Sequence, residues 1–258
     1  MIVFLTEEQP PERPRFSLLG SPDRRLWPME APLSDSRTLC LQSGRRRTRQ
    51  LSALLRQGVR RVVTCPAAEG EARRAGFMLY EVRTARRRAA GPMALALLRR
   101  EGAAVGNAGV RLTGRFDRDV DAAVRWLLPR VRYLDVACGG EAERLRTRLY
   151  EEHGLALALP VGTPYVEVVF GRAVGRTAAQ SGLLGRIDLS DGAENTDSGD
   201  WQGAVMRLPQ DVERCLAADI DREQVAAMLI ENGRWMPNEG EIGPFFCEKR
   251  GGLLLDRG

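Results

Sequence analysis

Histidine and lysine are almost missing from this chain, with His153 and Lys249 the only examples among 258 residues. A single imidazole excludes a histidine-built metal centre and leaves one side chain for imidazole acid–base work. The five cysteines (Cys40, Cys65, Cys138, Cys215 and Cys247) are odd in number and contain no Cys-x-x-Cys pair. Neither a disulfide framework nor a zinc knuckle is indicated, no metal is expected, and a reducing compartment fits best. No apolar run approaches the roughly 20 residues that a membrane span needs. The opening Met1-Ile2-Val3-Phe4-Leu5 is interrupted by Glu7 and Glu8 too soon for a secretory signal. The expectation is a cytoplasmic protein with no membrane partner. Gly-x-Gly-x-x-Gly and a phosphate loop ending Gly-Lys-Ser/Thr are both absent, so dinucleotide and ATP readings have no motif and the cofactor is unknown.

Arginine is what the chain has in excess. Residues 1–150 carry 29 arginines against 16 carboxylates, a net +13, whereas residues 151–258 carry ten basic against 18 acidic residues, a net −8. Guanidinium groups fork onto carboxylates and phosphates, so the basic half suits an anionic ligand, an acidic partner or nucleic acid. Against nucleic acid stands the run Arg45-Arg46-Arg47-Thr48-Arg49, which has no aromatic neighbour on which a base could stack. Arginine-biased codon usage explains the same excess without a partner.

Strand and helix patterns alternate along most of the chain. Arg15 to Leu19 and Val59 to Cys65 read as strands, with a helix over Arg47 to Gln57 between them. Phe77 to Val82 fits either a strand or the start of a helix, and Thr84 to Glu101 contains a helix in which Pro92 is an interruption or a first-turn residue. Gly109 to Thr113 is a strand. Asp117 to Leu128 is a helix with acids in its first turn and Val120 and Val124 at helical spacing. Val131 to Cys138 then leads through Gly139-Gly140 into a helix over Glu141 to His153, with Gly154 in the place of a left-handed cap. Leu155 to Leu159 reads as the next, buried strand and Tyr165 to Phe170 as another. Two apolar strands joined by a crossover helix are the mark of a parallel sheet covered on both faces. The fold class expected is therefore α/β: a Rossmann-like, doubly wound, mostly parallel sheet over residues 1–170. A mixed C-terminal extension follows over 171–258, with an acidic loop at 189–203 and a helix at Asp221 to Asn232.

Ligands of open α/β sheets sit outside the carboxyl ends of the strands. The loop there that stands out is Leu134-Asp135-Val136-Ala137-Cys138-Gly139-Gly140. It resembles the first motif of Rossmann-like S-adenosylmethionine-dependent methyltransferases, in which an acid, a small residue and glycines lead from the first strand into a helix. The resemblance implies that Asp135 lies beside the methionine end of the cofactor and that Gly139 and Gly140 let the backbone approach it. It covers about a dozen residues. Glu141 stands where a further glycine is common, and the following strand ends in Pro160-Val161-Gly162 rather than in a ribose-binding acid. Asp135, Gly139, Gly140 and Glu141 are the candidate cofactor-binding residues.

Other chemistry has less behind it. Cys40 with Arg46 and Cys138 with Arg144 match Cys-x5-Arg, in which a thiolate attacks phosphorus while the arginine clamps its oxygens. His153 reads as a helix C-terminal residue favoured by the dipole. Asp117, Asp119 and Asp121 suit a helix start, and Asp188 and Asp191 lack the spacing of a calcium loop. Trp201 and Trp235 plug the core or mark a partner surface. The reading that follows is a Rossmann-like ligand- or partner-binding module without a recognisable catalytic set. Methyl transfer and nucleic-acid or acidic-partner binding are the alternatives.

Overall fold

The computed structural model describes residues 2–7, 26–139, 142–153, 157–171, 181–190, 201, 203–249 and 252–255. In chain order the elements begin β1 (Ile2–Thr6), β2 (Trp27–Pro28), β3 (Ser36–Cys40), α1 (Arg45–Arg56), β4 (Arg61–Thr64), α2 (Pro66–Ala75) and β5 (Met78–Leu79). Next come α3 (Val82–Arg88), α4 (Ala90–Arg100), β6 (Gly109–Arg115), α5 (Arg118–Leu127), β7 (Tyr133–Gly139), α6 (Ala142–His153), β8 (Tyr165–Phe170) and β9 (Leu183–Asp188). Last are β10 (Gly203–Met206), α7 (Gln210–Arg214), α8 (Arg222–Glu231), β11 (Ile242–Lys249) and β12 (Gly252–Leu255). The chain forms two compact units, one from Met1–Val82 with Leu208–Trp235 and the other from Arg83–Arg207 with Met236–Gly258. The fold is α/β and Rossmann-like, as the alternation of strands and helices requires. Among the described residues no helix is long and apolar enough to cross a membrane.

In the first unit the strand order is β2-β3-β1-β4-β5. All neighbours are parallel except the short edge pair β2 and β3. Every residue of β1 is buried, which is why it reads as the continuous apolar run Ile-Val-Phe-Leu. Val3, Leu5, Leu39 and Val62 meet Leu51 and Leu54 of α1 and Ala68 and Ala72 of α2 in one core. Pro66 opens α2, where a missing N–H costs nothing, and Gly76 closes it in the left-handed region at φ 97°. Helix α8 is buried continuously from Gln224 to Ile230, and the carboxylate of Asp221 caps it by accepting from the amides of Glu223 and Gln224.

In the second unit β7-β6-β8-β9 are all parallel. Asp117 caps α5 by accepting from the Asp119 and Val120 amides, and Val120, Ala123, Val124 and Leu127 form its buried stripe. Helices α4 and α5 pack so closely that a Cβ on Gly91 would come within 2.7 Å of the Trp126 ring. The antiparallel sheet β10-β11-β12 belongs to this unit. Beside it Trp201 meets Phe245 with centroids 5.9 Å apart, and Arg100 lies 4.4 Å over the indole.

The second sheet departs from the expected pattern in two ways. Residues 157–159 are not a strand, residues 154–156 lie outside the described residues, and the strand after α6 is β8. That strand pairs with β6 rather than with β7, which is left at the edge. The valine-rich Tyr-Val-Glu-Val-Val-Phe has the branched side chains that fill a central strand, whereas the alanines of Leu-Ala-Leu-Ala-Leu do not. The sheet is also not apolar on both faces. Leu134, Val136, Val110, Leu112, Val166, Val168 and Ile187 are buried on one face, and Leu97 of α4 lies against Gly185 on that face. On the other, cross-strand register aligns Asp135, Arg111, Glu167 and Arg186 in one row of alternating charge.

Candidate functional site

With the antiparallel edge strand β2 left aside, both sheets have the same order. The second parallel strand in sequence lies on one side of the first, and the third and fourth lie on the other. Such a sheet has a switch point between its first and third strands, where the loops depart in opposite directions and leave a crevice.

In the first unit the switch point lies between β1 and β4, and the chain itself fills it. The Asp219 carboxylate accepts from the Thr6 hydroxyl at 2.5 Å and from the Glu7 amide at 2.7 Å. The Gln224 side chain accepts from the Thr64 amide at 3.1 Å, and the Thr64 carbonyl accepts from the Asp221 amide. Backbone donors at the end of a first strand commonly meet the anion of a ligand; here an aspartate of the same chain takes that place.

In the second unit the switch point lies between β6 and β8, and an arginine fills it. The Arg87 guanidinium pairs with Asp117 and Asp119, donates to the Leu189 carbonyl at 3.1 Å and lies 5.3 Å over the Phe170 ring. One turn earlier on α3, Arg83 donates to the Ser190 carbonyl. The two strands come so close that a Cβ on Gly114, which stands at φ 107°, would lie 2.0 Å from the Phe170 carbonyl oxygen.

Beside that plug an open groove remains. A cavity of about 650 Å³ is lined by Phe116, Asp117, Arg118, Asp121 and Arg125, and by Arg144, Leu145 and Arg148. Its walls are the first two turns of α5 and of α6, the helices that follow β6 and β7, so it opens at the carboxyl end of this strand pair. Of its acids, Asp117 is held by Arg87 and by the amides it caps, and Asp121 is bound to Arg125 at 2.8 Å. Arg118, Arg144 and Arg148 are exposed, and none of them makes an ion pair among the described residues. Leu145 is buried at the floor.

Of the residues singled out from the sequence, Asp117, Asp121 and Arg144 line the groove, and Asp135 and Gly139 are not among its lining residues. Asp135 is only 7% exposed, bound by Arg111 at 2.7 Å and by Arg146 at 3.3 Å. Gly139 ends β7 with open space where a side chain would stand. Gly140 and Glu141 lie outside the described residues, as does Asp191. Asp188 accepts from the Ser190 amide. His153 ends α6, and its side chain lies outside the described residues.

Neither cysteine has the surroundings of a nucleophile. Burial, with Asp117 next in effect, pushes the Cys138 thiol up to about 12, and its Sγ lies 3.5 Å from the Leu112 carbonyl. Cys40 is also raised, by burial first and then by Asp219 and Glu7. Thiols so placed stay protonated at neutral pH. Among the described residues no group of three His, Cys, Asp or Glu side chains could hold a metal ion.

The arginines of the groove were not named as a set by sequence reasoning. The available signal was spacing: Arg144 and Arg148 are four apart on α6, and Arg118 and Arg125 seven apart on α5, so each pair shares a helix face. The class that fold and site define together is a Rossmann-like α/β protein with an arginine-lined groove. Comparison with protein-family models, with curated proteins and with solved structures gives no match.

Proposed function

We propose that the protein is a ligand-binding Rossmann-like module without a recognisable catalytic set, and that its ligand is held by the second unit at the carboxyl end of β6 and β7. The observation that carries this reading is the groove of about 650 Å³ lined by α5 and α6, at the carboxyl ends of β6 and β7 and beside the switch point that Arg87 fills. Gly139, which ends β7, and Gly140 and Glu141, which follow it in the sequence, are proposed as part of the site. Asp135 acts from beneath, orienting Arg146 of α6 through their ion pair.

Thermal-shift screening of the whole chain tests the reading, because a ligand selective for the native state raises apparent stability. At least one small molecule raises the melting temperature in saturable fashion, and Gly139→Trp abolishes the rise. A Cβ at Gly139 meets nothing within 4 Å among the described residues, and the variant's melting temperature without ligand is the control for its folding. A screen in which no compound stabilises the chain, or in which Gly139→Trp responds like the parent, overturns the proposal. S-adenosylmethionine is the discriminating compound in the screen. Saturable binding that disappears in Asp135→Ala would replace this reading with the methyltransferase one; on the present reading it produces no heat of binding.

A further inference from the structure

Resting on that reading of the groove, we propose that its ligand is a small molecule carrying two or more linked phosphates next to a flat apolar group, the chemistry of a nucleoside diphosphate. The charge of the lining carries the argument. Two carboxylates line the groove, and each already has a cation: Asp117 has Arg87, and Asp121 has Arg125. Arg118 from α5 and Arg144 and Arg148 from α6 then remain with no ion pair among the described residues. A guanidinium cannot discharge at any pH a folded protein meets, so three of them around one concavity repel until an anion enters.

The number and type of donors select the anion. Each guanidinium presents a planar fork that matches two oxygens of one phosphate, and three guanidinium charges exceed what one dianionic phosphate neutralises. Two linked phosphates can bridge from α5 to α6. The rest of the lining is apolar, with Leu145 on the floor and the half-buried Phe116 ring at one end. An aromatic ring and an aliphatic floor accept a flat group such as a base. The volume of about 650 Å³ lies in the range of small-molecule pockets and takes a nucleotide.

Calorimetric titration of the full chain with adenosine diphosphate, inorganic pyrophosphate and adenosine tests this. Adenosine diphosphate binds, pyrophosphate binds more weakly, and adenosine alone does not bind. Arg118→Ala, Arg144→Ala and Arg148→Ala each weaken adenosine diphosphate by about tenfold or more, the usual size for loss of a charge-assisted hydrogen bond. The triple variant does not bind and melts where the parent does. Arg132→Ala, an exposed arginine stacked on Tyr133 outside the groove, binds like the parent.

Three results overturn the proposal. One is no heat with adenosine diphosphate or pyrophosphate at millimolar concentration. Another is equal affinity in the triple variant. The third is a single-stranded oligonucleotide that outcompetes adenosine diphosphate, which would make the groove part of a nucleic-acid track. If a phosphate-free compound from the thermal-shift screen is lost in Gly139→Trp but kept in the triple variant, the phosphate assignment fails while the groove reading survives. If no compound shifts the melting temperature at all, both fail together.

Discussion

The two units have parallel sheets of one strand order, and they close the carboxyl end of that order in opposite ways. In the first, a carboxylate from a distant segment, Asp219, satisfies the donors left by β1. In the second, a guanidinium from α3, Arg87, gathers acceptors from the loops after β6 and β9, and a groove whose arginines Arg118, Arg144 and Arg148 have no ion pair among the described residues stays open alongside. Strand order fixes where a crevice forms, and the side chains delivered there decide whether it serves binding or packing. An anion supplied by the chain has already filled the first crevice. The second unit has filled its switch point with a cation and still has cationic charge to spare.

The comparison is broken most severely by removing a charge from the row inside the second sheet. Arg111→Ala removes the cation shared by the buried carboxylates Asp135 and Glu167 and leaves each with one arginine, Arg146 or Arg186, so the expected loss is about 3 kcal/mol, the low end for breaking a buried charge pair. Denaturant unfolding followed by hydrogen exchange should show the loss in β6 to β9 and none in β1 to β5. Next in size is Arg87→Ala, which frees the Leu189 carbonyl and two aspartates; the expected loss is about 2–3 kcal/mol, again confined to the second unit and only partly recovered by Arg87→Lys.

Asp219→Ala acts from the other side. It removes the acceptor shared by the Thr6 hydroxyl and the Glu7 amide and should cost the first unit about 1–3 kcal/mol. Millimolar acetate or phosphate should then restore part of the stability of this variant while leaving the parent unchanged, because the vacated position is built for an anion. The smallest effect lies at the half-exposed pair of Asp35 and Arg234 in the first unit. The hydrogen bond from Arg234 holds the Asp35 carboxyl down at about 2, below its ordinary 3.8. A depressed carboxyl stabilises the fold above its unfolded value, so this contribution is complete above pH 4 and disappears as pH falls toward 2. Acid titration of the melting temperature should lose that component in Arg234→Ala.

Where a segment's own pattern decided its structure, the sequence could be read. Helix α5 declared itself through Asp117 and the stripe at Val120 and Val124, and β7 and α6 followed from an apolar run, a glycine turn and renewed helical spacing. Phe77 to Val82 was ambiguous because it holds both a two-residue strand and the first residue of α3. What escaped was decided by partners far along the chain. Leu-Ala-Leu-Ala-Leu has the alternation of a strand, yet the central position beside β6 went to β8, and no local signal ranks two such segments. The partition into two units, each from separated stretches of chain, likewise leaves no trace in periodicity. Asp135 was legible as a special residue in its loop, but its partners on β6 and α6 appear only once register and helix placement are known. The groove arginines were visible only as part of a general excess, since their meaning depends on two helices meeting.

The line of alternating charges from β7 to β9 also limits how the second sheet can assemble. Sliding β8 by two residues would preserve which side chains point inward, so hydrophobic patterning alone would tolerate the error. It would, however, set Tyr165 or Val169 in place of Glu167 beside Arg111, and would carry Glu167 away from Arg186. Four ionised side chains thus act as a key that only one alignment of the strands can turn.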